Sequence, residues 1–135
     1  MAKWKISAFR SLSGNCPIEE WQSGLETESY AKFSAVLGYL RVSPRELWVR
    51  PWFDILHGRK NRGMGEIRFK GNNKTHRLYG WFGPESEREG FVLLHGCIKQ
   101  KQRRGTEHDI KIARDRRGLI ISHGRRCFYE FTLKD

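Results

Sequence analysis

Cysteine is scarce in this 135-residue chain, and its three residues, Cys16, Cys97 and Cys127, stand far apart. An odd number without a zinc-type or disulfide-framework spacing excludes a small secreted scaffold stapled by bridges. Long hydrophobic runs are missing too. No apolar segment approaches the length a bilayer demands, and the opening MAKWKISAFRS lacks the apolar run of a signal peptide, so a reducing cytoplasm is the expected location, with no membrane partner. Acidic residues are few beside basic ones, 15 Asp and Glu against 26 Lys and Arg, for a net charge of +11. That excess attracts polyanions, nucleic acid first, with an anionic membrane surface or an acidic protein behind it. The plainest alternative is a basic surface that only keeps the protein soluble. With 38% hydrophobic and 13% aromatic residues, the chain suffices for one modest core and is not disordered as a whole.

Periodicity sets out the elements. Trp4 to Phe9 alternates, with Trp4, Ile6 and Ala8 on one side, as a first strand. After the Ser13-Gly14-Asn15 turn, Pro17 suits the first helical position, and Ile18, Trp21 and Leu25 share one helical face. A second helix over Glu26 to Leu40 carries an apolar stripe of Tyr30, Phe33, Leu37 and Leu40, which reads as core. Pro44 and Pro51 make Arg41 to Phe53 a connection, packed as a loop or short helical turn to cover Leu47, Trp48, Trp52, Phe53, Ile55 and Leu56. The glycine-rich basic stretch His57 to Met64 is exposed, either as a solvated loop or as a phosphate contact.

The central stretch, Gly65 to Arg104, carries most of the information. A two-residue turn at Asn72-Asn73, which Asn tolerates at positive φ, sets Gly71 opposite Lys74, Lys70 opposite Thr75, Phe69 opposite His76, Arg68 opposite Arg77 and Ile67 opposite Leu78. Alternation then puts Ile67, Phe69, His76, Leu78 and Phe82 on a core face, and Glu66, Arg68, Lys70, Arg77, Tyr79 and Trp81 on a cationic, aromatic one. A three-residue turn would shift this register by one. Gly83-Pro84 to Gly90 is an acidic loop, and Phe91 to Ile98 reads as a central strand buried on both sides. His95 lies on the side of Leu93 and Cys97 and reads as a hydrogen-bonded core histidine. The basic cluster Lys99 to Arg104 follows. Thr106 then caps a helix with Asp109 at the capping-box position, and Arg114, Arg116 and Arg117 suit its last turn. After Gly118 to Gly124, Cys127 to Leu133 reads as a short strand.

The segments Gly65-Glu66-Ile67-Arg68-Phe69, His76-Arg77-Leu78-Tyr79 and Val92-Leu93-Leu94-His95-Gly96-Cys97-Ile98-Lys99-Gln100-Lys101, followed by the helix Glu107 to Arg117, resemble the RelE/HigB toxins, in particular the phage-derived branch of that superfamily. The resemblance covers Trp4 to Arg117 in order. It implies an α+β fold: a RelE-like domain over residues 1–118, with an antiparallel twisted sheet of about four strands, two N-terminal helices on one face and a C-terminal helix. Residues 119–135 form a strand-like extension that can pair with the sheet, cover the cationic face, or bind RNA through Arg125, Arg126 and Tyr129.

The same resemblance implies the toxin of a type II toxin–antitoxin pair, an endoribonuclease that cuts messenger RNA, in several relatives on the ribosome. Its chemistry needs neither metal nor cofactor: a ribose 2′-hydroxyl attacks the adjacent phosphate. The catalytic residues carried over are Arg68, Arg77 and Lys99, with Lys101 beside them. Lys70, Lys74, Tyr79, Trp81, Arg103 and Arg104 supply RNA contacts. Fork-shaped, permanently charged guanidinium groups suit the extra charge of a phosphorane-like transition state. His108, His123 and Tyr129 are the candidates where relatives carry a general base, and none is assigned. A small cognate antitoxin is the expected protein partner, crossing the basic face with a helix or an extended acidic segment.

Other readings stand beside this one. Basic residues interleaved with Tyr79 and Trp81 also suit a non-catalytic nucleic-acid-binding domain. Asp54 with Glu66-Ile67-Arg68 faintly resembles a metal-dependent nuclease motif. A phage-assembly protein with a solvated basic face is the third.

Overall fold

Six strands and three α-helices form among the described residues, joined by short 3₁₀ turns. The computed structural model describes residues 4–85, 87–99 and 103–133, with side chains of the last segment described from residue 106. In chain order the elements are β1 (Lys5–Phe9), α1 (Pro17–Ser23), α2 (Thr27–Val42), β2 (Phe53–Ile55), β3 (Met64–Gly71), β4 (Lys74–Phe82), β5 (Gly90–Ile98), α3 (Arg103–His123) and β6 (Phe128–Glu130). They build one sheet of order β2-β3-β4-β5-β1-β6. No helix among the described residues is long and apolar enough to cross a membrane.

Helices pack on both faces, so the middle strands are buried over much of their length and open toward the hairpin end of β4 and β5. The α2 stripe of Phe33, Leu37 and Leu40, with Ile18 of α1, meets Ile6, Ala8, Ile67, Phe69, Leu78, Phe91 and Leu93. On the other face, Ile110, Ala113 and Ile120 of α3 meet Tyr79, Val92, Leu94 and Cys127. Phe91 to Leu94 are buried whichever face they take, as expected of the central strand.

The hairpin register is the predicted one at every pair from Ile67–Leu78 to Gly71–Lys74. Asn72 and Asn73 take φ of 54° and 59°, so both turn positions use the left-handed region that Asn tolerates. The turn also serves α2. Residue Glu26 at the start of α2 makes no side-chain cap; instead, Asn72 Oδ1 accepts from the Ser29 N–H (2.9 Å) and hydroxyl (2.7 Å). An orphan donor of the first helical turn is thereby satisfied from another element. At Gly71 a Cβ would lie 2.6 Å from the Ser29 Cα, so only glycine admits this approach.

Several expectations are corrected. The sheet has six strands and is mixed, because β1 runs parallel to β5. β2, expected as connection, pairs with β3 from Phe53–Ile67 to Ile55–Gly65; Pro51 sits just before it, where its missing donor costs nothing. α3 begins at Arg103, so Thr106 is not its cap. It also runs through Gly118, because Ile120 continues the buried stripe and packing outweighs the roughly 1 kcal/mol glycine penalty. The 118/119 boundary therefore falls inside a helix, and the tail pairs antiparallel with β1 from Ser7–Glu130 to Phe9–Phe128. Finally, Tyr79 pairs with His95 but Gly80 with Leu93, which leaves Leu94 as the extra residue of a bulge. The bulge shifts the alternation, so His95 shares a face with Cys97 and not with Leu93.

Candidate functional site

Antiparallel pairing from β2 to β5 sets side chains in rows on the face that α3 covers. One row runs Asp54, Glu66, Tyr79, His95 as successive cross-strand partners. The next runs Arg68, Arg77, Cys97. Two carboxylates, a phenol and an imidazole thus lie two residues along the strands from two guanidinium groups and a thiol.

The rows are coupled by charge. Glu66 Oε1 lies 3.5 Å from Arg68 Nε, and its Oε2 lies 3.7 Å from Arg77 Nε. Asp54 Oδ2 accepts from Arg50 Nη2 and Nε at 2.8 and 3.1 Å and lies 4.0 Å from Arg68 Nη1. Burial pushes the Glu66 carboxyl up, outweighing the pull of Arg77 and Arg68. Hydrogen bonding to Arg50 holds Asp54 below the usual carboxylate range. For Arg77, burial works against the charge, but the neighbouring Tyr79 hydroxyl and Glu66 carboxylate outweigh it and hold the guanidinium above its ordinary value. Among the described residues, Glu66 Oε2, Arg77 Nε and the Tyr79 hydroxyl are buried without a hydrogen bond of standard length. The Arg77 Nε donor is thus held by the Glu66 charge at a distance longer than a hydrogen bond.

One strand further, His95 Nε2 donates to Asp109 Oδ1 of α3 at 2.8 Å. This tautomer leaves Nδ1 as an acceptor. Burial lowers the His95 pKa against the opposing pull of Asp109, so the ring is neutral at neutral pH. A neutral imidazole oriented by a carboxylate can accept a proton. Burial, with Asp109 adding to it, pushes the Cys97 thiol up to about 12, which leaves it protonated and a poor nucleophile.

Toward the hairpin end, Arg50, Trp52, Arg68, Lys70, Thr75 and Lys99 line an open groove of about 400 Å³. The Lys99 N–H donates to the Thr75 carbonyl at 2.7 Å, which carries Lys99 alongside the hairpin. Arg68, Lys70 and Lys99 are therefore brought together, with Arg77 one position deeper on the sheet.

Other expected site residues fall elsewhere. Tyr79 is fully buried under α3 and offers no ring to a base, a correction that follows from α3 covering the supposedly open face. Trp81 pairs with Met64, well along the strand from the arginines, and packs against the α3 cluster. Lys74 lines a different pocket, with Trp21 and His76. Lys101 lies outside the described residues, and Arg103 and Arg104 open α3 with side chains outside them. His108 is exposed, His123 ends α3, and Tyr129 stands on β6 at the opposite sheet edge. Asp109, at the expected capping-box position, is instead the partner of His95, and Arg50 and Trp52, which fall in the expected connection, line the groove. No local pattern signals a pair separated by 14 residues and two elements.

A family model described as "Phage derived protein Gp49-like (DUF891)" matches residues 20–118. The matched span contains both rows and leaves out β1 and β6. Neither curated proteins nor solved structures yielded a match.

Proposed function

The chain belongs to the Gp49-like family of phage-derived proteins, and from that membership we propose that it is the toxin of a type II toxin–antitoxin pair, a ribonuclease of RelE/HigB type that cuts messenger RNA. The observation that carries the proposal is Arg68 directly opposite Arg77, beside a groove shared by Lys70 and Lys99.

In this mechanism the groove holds the RNA backbone, with Trp52, 42% exposed, as a stacking surface. The 2′-oxygen attacks the adjacent phosphorus while its proton passes to His95 Nδ1. The P–O5′ bond breaks, leaving a 2′,3′-cyclic phosphate, and the departing oxygen takes a proton from Lys99 or water. Arg68 and Arg77 stabilise the added negative charge, and alignment of the reacting atoms supplies much of the remaining acceleration. No metal takes part. An acidic antitoxin segment suits the same cationic groove.

Arg77→Ala is expected to lower cleavage of end-labelled RNA by about 10²–10³-fold, with a modest loss of affinity and an unchanged circular dichroism spectrum. Cleavage should continue in excess EDTA and yield cyclic or 3′-phosphate ends. Near wild-type cleavage by Arg77→Ala would sink the proposal. One observation favours a binding-only alternative: the Glu66 carboxylate already lies between the two arginines. On that alternative the purified protein binds RNA without cutting it, with or without ribosomes, and each basic residue contributes comparably to affinity.

A further inference from the structure

His95 Nε2 and Asp109 Oδ1 are 2.8 Å apart, and the ligand atoms of His95, Cys97 and Asp109 all lie within 4.8 Å of one another. We infer that these three side chains form a binding site for a divalent transition-metal ion of the zinc class, with a fourth coordination position left open. The bulge at Leu94 creates the site, because it turns His95 and Cys97 together to the face that α3 covers, where Asp109 stands. All three residues are partly buried, so the donors are held by packing yet not sealed from solvent.

The donor set selects the ion. A thiolate, an imidazole and a carboxylate suit zinc, whereas magnesium and calcium require oxygen ligands. Zinc bond lengths of about 2.0–2.3 Å place tetrahedral ligand atoms roughly 3.3–3.8 Å apart, so small side-chain rotations close the set. Charge also balances. Binding releases one proton from the Cys97 thiol, and the His95 ring stays neutral as its proton moves to the other nitrogen. The divalent ion, the thiolate and the Asp109 carboxylate then sum to zero. The site thus goes from −1 to zero, and the one added positive charge met by Arg77 and Arg116 is offset in part by Glu66 on the same face. Arg116 is further restrained by donating to the Leu94 carbonyl at 2.8 Å.

A bound ion would occupy His95 and so switch off RNA cleavage; this consequence alone rests on the proposed function, and binding does not. The test is titration of the reduced full-length protein with cobalt(II), followed by competition with zinc(II). One equivalent is expected to bind with an intense near-ultraviolet thiolate-to-cobalt band and tetrahedral visible bands, displaced by zinc. Cys97→Ser should lose the charge-transfer band, and both it and Asp109→Asn should bind at least about 100-fold more weakly. Cys16→Ser should match the wild type. A weak octahedral spectrum without a charge-transfer band in the wild-type protein overturns the site and leaves the ribonuclease proposal standing. So does unchanged affinity in a folded Cys97→Ser or Asp109→Asn protein. Because the wild-type spectrum decides by itself, a variant that fails to fold does not rescue the inference.

Discussion

His76 sits in the hairpin with its ring stacked on Phe69, centroids 4.8 Å apart and planes 11° off parallel, and with Nε2 3.0 Å from the Ser29 hydroxyl. That hydroxyl has one proton, already directed to Asn72, so the imidazole Nε2–H must donate. Burial lowers the His76 pKa, and Lys74 adds to it against Glu26 and a backbone contact at Gly71. A folded-state pKa below the unfolded one means that the unfolded chain takes up the proton first. Stability is therefore full above the ordinary value of 6.5 and lost as pH falls below it toward the depressed folded value. The unfolding free energy from urea titration should drop between about pH 7 and pH 5, by up to about 1.4 kcal/mol per pH unit from this residue. His76→Gln should make that drop shallower, His95 supplying the remainder through its own lowered pKa, and an equally steep profile in the variant would assign it elsewhere. Alternation alone had turned His76 to the core. Its partner Ser29, 47 residues away, was not legible, because nothing in a strand pattern says which helix lands on it.

The hairpin illustrates the element scale, since its register was legible from two asparagines and a pleat. Its second task, capping α2, was not. Asn72→Gly keeps the left-handed turn and removes only the side-chain acceptor, so it should cost about 1 kcal/mol of unfolding free energy in urea titration. Asn72→Ala also forces a Cβ to φ of 54° and should cost about 2–3 kcal/mol in all. Equal losses would mean that the turn is not strained by Ala. In α3 the local signals misled. Gly118 and Gly124 looked like a broken tail, yet Ile120 is 1% exposed and holds the helix on the sheet to His123. Glycine punctuation is a weak preference that a buried apolar contact overrides. In β5, likewise, the bulge that re-aims His95 left no mark, since Leu93 and Leu94 are equally apolar.

Across the whole molecule, a net charge of +11 draws in a polyanion from any side, but the groove concentrates four cations, Arg50, Arg68, Lys70 and Lys99. If those four carry the phosphate contacts, the logarithm of single-stranded RNA affinity should fall with the logarithm of salt at a slope of about −3. A slope near zero in fluorescence anisotropy would remove RNA from that groove. The sequence by itself determined the basic excess, the helices and strands with clear periods, and the hairpin that sets Arg68 opposite Arg77. These are consequences of composition and of contacts within a few residues, where the 3.6 and 2.0 periods speak directly. Only the tertiary structure decided that β1 joins β5 in parallel, that α3 buries Tyr79, and that Asp109 meets His95. Those outcomes depend on which distant apolar faces bury one another. Many pairings satisfy the same local pattern, and only close packing of the whole selects among them.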